Sequence, residues 1–365
     1  MLKYLMMLLP QHQTRYAIDV HSAVQKNCVF AAVVLMLLMA CQTTTAGHRP
    51  DFDRDGVTDL VVWRPSNGTW YVSTSSGNAP VGPSWTSIPG GYTTQWGLPG
   101  DRAFIADFDG DCATDLAVVR SPAMLWYLKC SNGVTLTVQF GLPRDVFAFG
   151  DCFPDRITAL DKVDGRDDMF CYRSANRGLY FRRSSDAVVS GPNPLPWPLP
   201  NIHSVVPLSQ FVDATHRQER RAVAIHYSNP MPRLKVSGDM FGSNHPVLMD
   251  FEAPLNGIVL VGDYNGDKYS EVAVFDPVTA VWTIGNSNLQ PTITVRLGEP
   301  GDIPLVGDFD GDGKDDLAVC NPRTMVVSVA GSGYYSGHIP KGANWYYWGW
   351  NVYRKQWGIQ NDVIP

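Results

Sequence analysis

One pattern, carboxylates at alternate positions followed by a short apolar run, returns four times along the chain. It reads Asp51-Phe52-Asp53-Arg54-Asp55-Gly56-Val57-Thr58-Asp59-Leu60, and comes back from Asp107 to Leu116, from Asp263 to Val272 and from Asp308 to Leu317. Self-similarity of this kind means a set of like units, none of which can bury its apolar faces alone. The flanks repeat too. Ahead of the loops stand apolar strands at Ala103–Ala106, Ile258–Val261 and Ile303–Val306, and a like strand at Val146–Phe149. After them come Leu60-Val61-Val62-Trp63, Leu116-Ala117-Val118-Val119, Val272-Ala273-Val274-Phe275 and Leu317-Ala318-Val319. A turn and a second strand follow, Trp70-Tyr71-Val72 and Trp126-Tyr127-Leu128, with Leu179-Tyr180-Phe181 in the same place six residues after Arg173. Lead-ins of one type, Trp96-Gly97-Leu98-Pro99, Phe140-Gly141-Leu142-Pro143 and Leu297-Gly298-Glu299-Pro300, precede the apolar strands.

Two further copies are worn. One begins at Asp151 and ends at Asp164-Gly165-Arg166-Asp167-Asp168, with about nine extra residues between. The other spans Pro207 to Ile225 and has lost most of its carboxylates. The six copies lie about 51 residues apart on average. A unit of that length with about four short strands is a propeller blade. With 33 Gly and 27 Pro in 365 residues, long helices are excluded and short strands joined by turns are expected. The fold expected is therefore all-β, a β-propeller of six blades over residues 48–365, with seven blades the alternative if residues 185–210 hide another. The final Trp357-Gly358-Ile359-Gln360-Asn361-Asp362-Val363 is a lead-in with no loop after it, and the Asp51 loop has almost no lead-in before it. The C-terminal strand is thus expected to pair with the N-terminal blade and close the ring.

The loops carry the chemistry. Positions 1, 3, 5 and 9 are Asp51, Asp53, Asp55 and Asp59 in the first, and Asp107, Asp109, Asp111 and Asp115 in the second. They are Asp263, Asn265, Asp267 and Glu271 in the third, and Asp308, Asp310, Asp312 and Asp316 in the fourth. Four oxygen-bearing side chains around one tight turn repel unless a hard cation sits among them, and Ca²⁺ accepts six to eight oxygens at roughly 2.3–2.6 Å. The carbonyl of position 7 (Val57, Ala113, Tyr269 or Lys314) adds another oxygen. About three to four calcium sites are expected. The loops are not EF-hands, since Val62 and Val319 stand where a twelfth-position Glu is needed. Position 6 is Gly56 and Gly313 in the outer copies but Cys112 and Lys268 in the others, which are expected to turn differently or bind more weakly. The 151–168 and 211 copies are expected to hold no metal.

The N-terminal residues read as an address. Val29 to Met39 is an uncharged apolar run preceded by Lys26 and followed by Ala40-Cys41. As a helix it rises only about 16 Å, too short for a bilayer core of roughly 30 Å, and it fits a secretory signal. Leu38-Met39-Ala40-Cys41 resembles a bacterial lipobox, in which the Cys is acylated. Residues 1–40 are then a signal peptide, with the start overextended, and 41–47 a tether. Export to the cell envelope, with a lipid anchor as the sole membrane contact, is the expected destination. Local disulfides Cys112–Cys130 and Cys152–Cys171 fit an oxidising compartment; unpaired buried thiols are the alternative.

These residues resemble the FG-GAP/VCBS repeats of bacterial surface proteins, related to the integrin α-chain propeller. The Gly-Leu-Pro lead-ins, the Asp-rich loops and Arg64-Pro65-Ser66-Asn67-Gly68-Thr69-Trp70-Tyr71-Val72 carry the resemblance. It implies a calcium-bound propeller that acts as a binding or adhesion module and does not fix the ligand, an unidentified protein or glycan. A net charge of −6 without a long basic run excludes a nucleic-acid partner. Asn344-Trp345-Tyr346-Tyr347-Trp348-Gly349-Trp350 suggests a sugar-stacking lectin as one alternative, and blade filling as the plainer account, as for Trp85, Tyr92 and Trp96. A propeller-fold polysaccharide lyase or hydrolase is the weaker alternative. No His-Glu-x-x-His, Gly-x-Ser-x-Gly or phosphate loop is present, and Asp213, His216 and Glu219 read as solvated loop residues, so no catalytic residue is assigned.

Overall fold

The computed structural model describes residues 44–45, 49–82, 85–151, 165–194, 202–212, 219–228, 231–238, 247–268, 270–285, 291–331, 346–349 and 352–365. Among these the chain forms six antiparallel sheets in a ring and no helix. A two-residue strand β1 (Thr44–Thr45) precedes the first blade. Blade 1 holds β2 (Leu60–Arg64), β3 (Thr69–Ser73), β4 (Thr86–Ile88) and β5 (Gly91–Gln95). Blade 2 holds β6 (Arg102–Ala106), β7 (Asp115–Arg120), β8 (Leu125–Lys129) and β9 (Thr135–Gln139). Blade 3 holds β10 (Val146–Gly150), β11 (Asp168–Arg173), β12 (Gly178–Arg182) and β13 (Val189–Pro194). Blade 4 holds β14 (Ile202–Val212), β15 (Glu219–Ser228), β16 (Pro232–Gly238) and β17 (Val247–Glu252). Blade 5 holds β18 (Ile258–Gly262), β19 (Glu271–Asp276), β20 (Val281–Gly285) and β21 (Pro291–Arg296). Blade 6 holds β22 (Ile303–Gly307), β23 (Asp316–Asn321), β24 (Val326–Ala330), β25 (Tyr346–Gly349) and β26 (Val352–Gln356).

The second strand of each blade is buried from end to end in β7, β11, β19 and β23 apart from its last residue, because both faces of the sheet are covered. What covers them is the next blade. One apolar cluster joins Trp63 and Trp70 of blade 1 to Ile105, Leu116 and Val118 of blade 2. Another joins Phe104 and Trp126 of blade 2 to Phe147, Phe149 and Met169 of blade 3, with ring centroids of Trp126 and Phe147 4.9 Å apart. Val236 of blade 4 shares a cluster with Val259 of blade 5, Phe275 and Trp282 of blade 5 with Leu317 of blade 6, and Val329 of blade 6 with Leu60 and Val62 of blade 1. The core therefore sits in the seams between sheets, and the ring leaves no terminal face uncovered.

Seven blades are excluded: residues 189–194 form the outer strand of blade 3 and residues 202–212 the inner strand of blade 4. The C-terminus closes the ring as expected. Val363 pairs antiparallel with Trp63, and their N–H and C=O groups exchange two bonds of 2.7 Å. This bridge occupies the place that Arg102 takes opposite Val119 in blade 2. A side-chain clasp reinforces it. In blades 2 and 3 the lead-in Asp accepts the N–H three residues back and pairs with an Arg on the second strand, as Asp101 does with Leu98 and Arg120 and Asp145 with Leu142 and Arg173. Asp362 does the same with Ile359 and with Arg64, 298 residues away, through two bonds of 2.7 and 3.0 Å. Each Arg also lies over a Tyr ring, Tyr71, Tyr127 or Tyr180.

Thr44 and Thr45, inside the expected tether 41–47, pair in parallel with Ala148 and Phe149 of β10; the rest of that tether lies outside the described residues. The cysteine expectation is corrected. Cys112 is an exposed free thiol on the outside of its loop, whereas Cys130 is a buried free thiol beside Asp115, so the Cys112–Cys130 bridge does not form. Cys171 is also free and buried, with its thiol donating to Asp145 Oδ2 at 3.4 Å; Cys152 lies outside the described residues. Burial and the adjacent carboxylates push both buried thiols well up from their ordinary value, which makes them unreactive.

Replacing Arg64 with Ala leaves the Asp362 carboxylate, 1% exposed, without its cation. The change is expected to cost about 3 kcal/mol, read as a lower urea midpoint. A loss within a few tenths of a kcal/mol would show that the clasp does not hold the closure.

Candidate functional site

Three of the four Asp-rich loops link an inner strand to the second strand of its blade, and the first leads into β2, the second strand of blade 1, so that all four crown one face of the ring. Their geometry is common to all. Positions 4 and 6 both take left-handed backbone: Arg54, Gly110, Gly266 and Gly311 at φ 62–83, and Gly56, Cys112, Lys268 and Gly313 at φ 66–89. The expectation that Cys112 and Lys268 alter the turn is thus corrected. These two residues adopt the strained conformation, at about 1–2 kcal/mol each, because the hydrogen bonds of the loop require it.

Those bonds radiate from position 1. The Asp107 carboxylate accepts the N–H groups of Gly110, Asp111 and Cys112, and Asp308 those of Gly311, Asp312 and Gly313. Asp263 accepts from Gly266 and Lys268, and Asp51 from Asp55 and Gly56. Position 9 ties the loop to the blade. Asp59 accepts the N–H of Phe52 at 2.7 Å and of Ser75 at 2.6 Å, and Asp115 those of Phe108 and Ser131. Position 5 accepts the N–H of position 7, from Val57 to Asp55, Ala113 to Asp111 and Lys314 to Asp312.

The structure brings the acidic groups together in three loops. Carboxylate oxygens of Asp51, Asp53 and Asp59 lie within 4.8 Å of one another, as do those of Asp107, Asp109 and Asp111, and of Asp308, Asp310 and Asp316. Asp109 and Asp115 also gather with the Cys130 thiol. Asp55 is turned toward Ser75, whose hydroxyl donates to it at 2.5 Å, and Asp111 is shared with Ser131 and with Arg54 from the neighbouring blade. In the third loop Asn265 Nδ2 donates to Glu271 Oε1 at 2.6 Å, so the shortened charge is made good by a hydrogen bond; Tyr269 lies outside the described residues.

Position 3 points to what the loops are built for. Asp53 Oδ1 and Asp109 Oδ2 are buried atoms with no hydrogen-bond donor, at corresponding places in two loops. Burial first, and the neighbouring carboxylates second, push both carboxyls up from the ordinary value. Burial likewise pushes Asp59, Asp115 and Glu271 up to about 8 against their backbone donors. Stranded oxygens in an all-oxygen donor set fit a hard divalent cation, which would supply the missing partner and return the carboxyls to their charged form.

Sequence reasoning missed the eighth position. Its side chain or N–H binds position 1 of the preceding blade: Asp51 N–H donates to Thr114 Oγ1, Asp107 N–H to Asp167 Oδ2 and Asp263 N–H to Asp315 Oδ2, each at 2.7–2.9 Å. In return Thr58, Thr114, Asp167 and Asp315 donate N–H to the carbonyls of Asp308, Asp51, Asp107 and Asp263. The loops are thereby linked from blade to blade. Arg49 adds bonds to Asp308 and Asp315. A hydrogen-bonding residue at position 8 in every copy (Thr58, Thr114, Ser270, Asp315) was the available signal.

Of the other expectations, Trp85 and Trp96 do pack on the blade 1–2 cluster, and Tyr92 donates to the Gly77 carbonyl. The side chains of 344–350, and those of Asp213, His216 and Glu219, lie outside the described residues.

Residues 51–118 match the FG-GAP-like repeat family and residues 301–337 the FG-GAP repeat family. This chain is an FG-GAP repeat β-propeller. No curated protein matches the sequence of this propeller significantly. Among solved structures it is similar to Citrobacter koseri AztD, at 11% identity over 75% of this chain and 83% of that one, with a TM-score of 0.41. It is also similar to Chaetomium thermophilum Raptor, at 10% identity over 79% of this chain and 24% of that one, with a TM-score of 0.44. An Agrocybe aegerita lectin that recognises non-reducing terminal N-acetylglucosamine aligns at 12% identity over 74% of this chain and 72% of that one, with a TM-score of 0.39. Likenesses this distant say nothing about a ligand.

Two outcomes follow from the loop geometry. Cys112→Gly and Lys268→Gly should each raise stability by about 1 kcal/mol, and Gly313→Ala, with open space around its Cβ but φ 89, should lower it by as much; urea unfolding checks all three. The raised carboxyls set the pH response. Asp59, Asp115 and Glu271 bind protons more tightly folded than unfolded, so their contribution is full below about pH 4 and is lost as pH rises toward 8. The melting temperature of the metal-free propeller should therefore fall between pH 5 and 8.

Proposed function

We propose that this FG-GAP propeller is an exported, lipid-anchored, calcium-stabilised binding module at the cell surface, without catalytic activity. The observation that carries the calcium assignment is the pair of donorless oxygens, Asp53 Oδ1 and Asp109 Oδ2, each inside a carboxylate cluster at the same loop position. The ligands would be Asp51, Asp53, Asp55 and Asp59 in the first loop and their counterparts in the other three. The family match supports the same reading.

Magnitude favours a structural ion. Extracellular calcium modules bind at about 10⁻⁴–10⁻³ M, so about 1 mM calcium adds roughly 0.4–1.4 kcal/mol per site. Spread over linked loops, that is a useful share of a marginal stability. A binding role is compatible with the FG-GAP propeller fold. Export and anchoring rest on the signal-like run and on Cys41 behind Leu38-Met39-Ala40. The partner would be a protein or glycan of the cell surroundings, held by the propeller as a rigid platform.

Calcium titration by calorimetry, with melting temperature recorded in parallel, tests the reading. Chelation should lower the melting temperature, and Asp53→Asn and Asp109→Asn should each remove one binding event while the others persist. No heat and no shift with EDTA would sink the calcium assignment.

A further inference from the structure

The two faces of the ring are chemically unlike. The loop face carries the Asp clusters. The opposite face is built from the lead-in turns and from the turns that join the second and third strands. Among the described residues, six of the ten exposed large apolar side chains lie on it. Leu98, Leu142, Leu255 and Ile359 come from lead-in turns, 51–56% exposed, and Met231 and Val278 from strand-joining turns, 57% and 63% exposed. They recur around the ring rather than in one spot, because the same turn is repeated blade by blade. The exposed Arg144 and Arg177 stand among them, as do Glu252 and Glu299, so apolar surface rather than net charge distinguishes this face.

Chain direction says what covers it. β10 runs from the lead-in turn at Asp145 toward the loop face, and β1 pairs with it in parallel. The chain therefore enters Thr44 from the turn face and leaves toward Arg49 and the Asp51 loop. Cys41 is three residues upstream of Thr44. Three residues span at most about 10 Å, and Thr44 sits opposite the middle residue of the five-residue β10. An acyl chain on Cys41 leaves no slack for the propeller to stand off from the bilayer.

We propose that the turn face lies flat against the lipid surface, with Leu98, Leu142, Leu255, Met231, Val278 and Ile359 inserted at the headgroup level and the calcium loops facing outward. Apolar side chains on a rigid frame gain by such shallow insertion, and arginines among them suit the interface. The proposal rests on acylation of Cys41, so the two are tested separately. Full-length protein purified from the membrane is analysed by mass spectrometry for an acylated Cys41, then reconstituted into vesicles of phosphatidylethanolamine and phosphatidylglycerol. Hydrogen exchange is compared with the detergent-solubilised protein. Slower exchange at 96–101, 140–145, 253–257 and 357–362, with 51–59 and 107–115 unchanged, is the expected result. Leu98→Glu, Leu142→Glu and Ile359→Glu combined should abolish that protection without changing the melting temperature. An acylated protein protected on the loop face, or nowhere, overturns the orientation while the anchor stands. An unacylated Cys41 overturns both.

Discussion

The interaction on which everything else depends is apolar contact across the seams between blades. A four-stranded sheet with Val, Phe and Trp on both faces cannot be soluble alone. Trp126 lies within 5–6 Å of Phe147 and Phe149 of the next blade, and Trp63 and Trp70 meet Ile105 and Val118 in the same way. Each fully buried aromatic adds roughly 2–3 kcal/mol, which the blade realises only when its neighbour is present. Closure follows, since an open row would leave the Leu60 and Val62 face of blade 1 and the Val327 and Val329 face of blade 6 in water.

Two belts of polar contacts then fix the seams that the apolar groups bring together. At the strand ends near the lead-ins, Asp–Arg–Tyr clasps hold the inner strand to the second. At the other end, position 1 of one loop binds position 8 of the next. The second belt is the more demanding. It concentrates carboxylates on one face and forces Arg54, Cys112 and Lys268 into left-handed backbone. Cationic side chains from adjoining segments, Arg49 and Arg54, offset part of that charge. One oxygen of Asp53 and one of Asp109 are left without a donor. The blade-to-blade bonds and the acidic clusters are thus aspects of one construction.

Much of the blade plan was legible because its signals are local. The inner strands at 102–106, 146–150, 258–262 and 303–307 extend the apolar runs by one residue, and the lead-in of Trp357 to Val363 announced the closure. The candidate metal loops were legible from spacing alone. What escaped the sequence was non-local. Position 8 looks like an ordinary polar residue until the neighbouring blade is beside it. The similar spacings of Cys112 to Cys130 and Cys152 to Cys171 suggested bridges, yet spacing carries no information on which way a thiol points.

The sequence by itself determined the unit: its length, its strand order, its acidic turn and the lead-in left over at the C-terminus. These depend on residues close in the chain, where alternation, turn chemistry and charge spacing act directly. Only the tertiary structure decided which faces meet, that Thr44 and Thr45 join β10, and that apolar turns gather opposite the acidic loops. Those features come from stacking six copies around an axis. A repeat puts equivalent turns on the same side, and no single copy contains that fact.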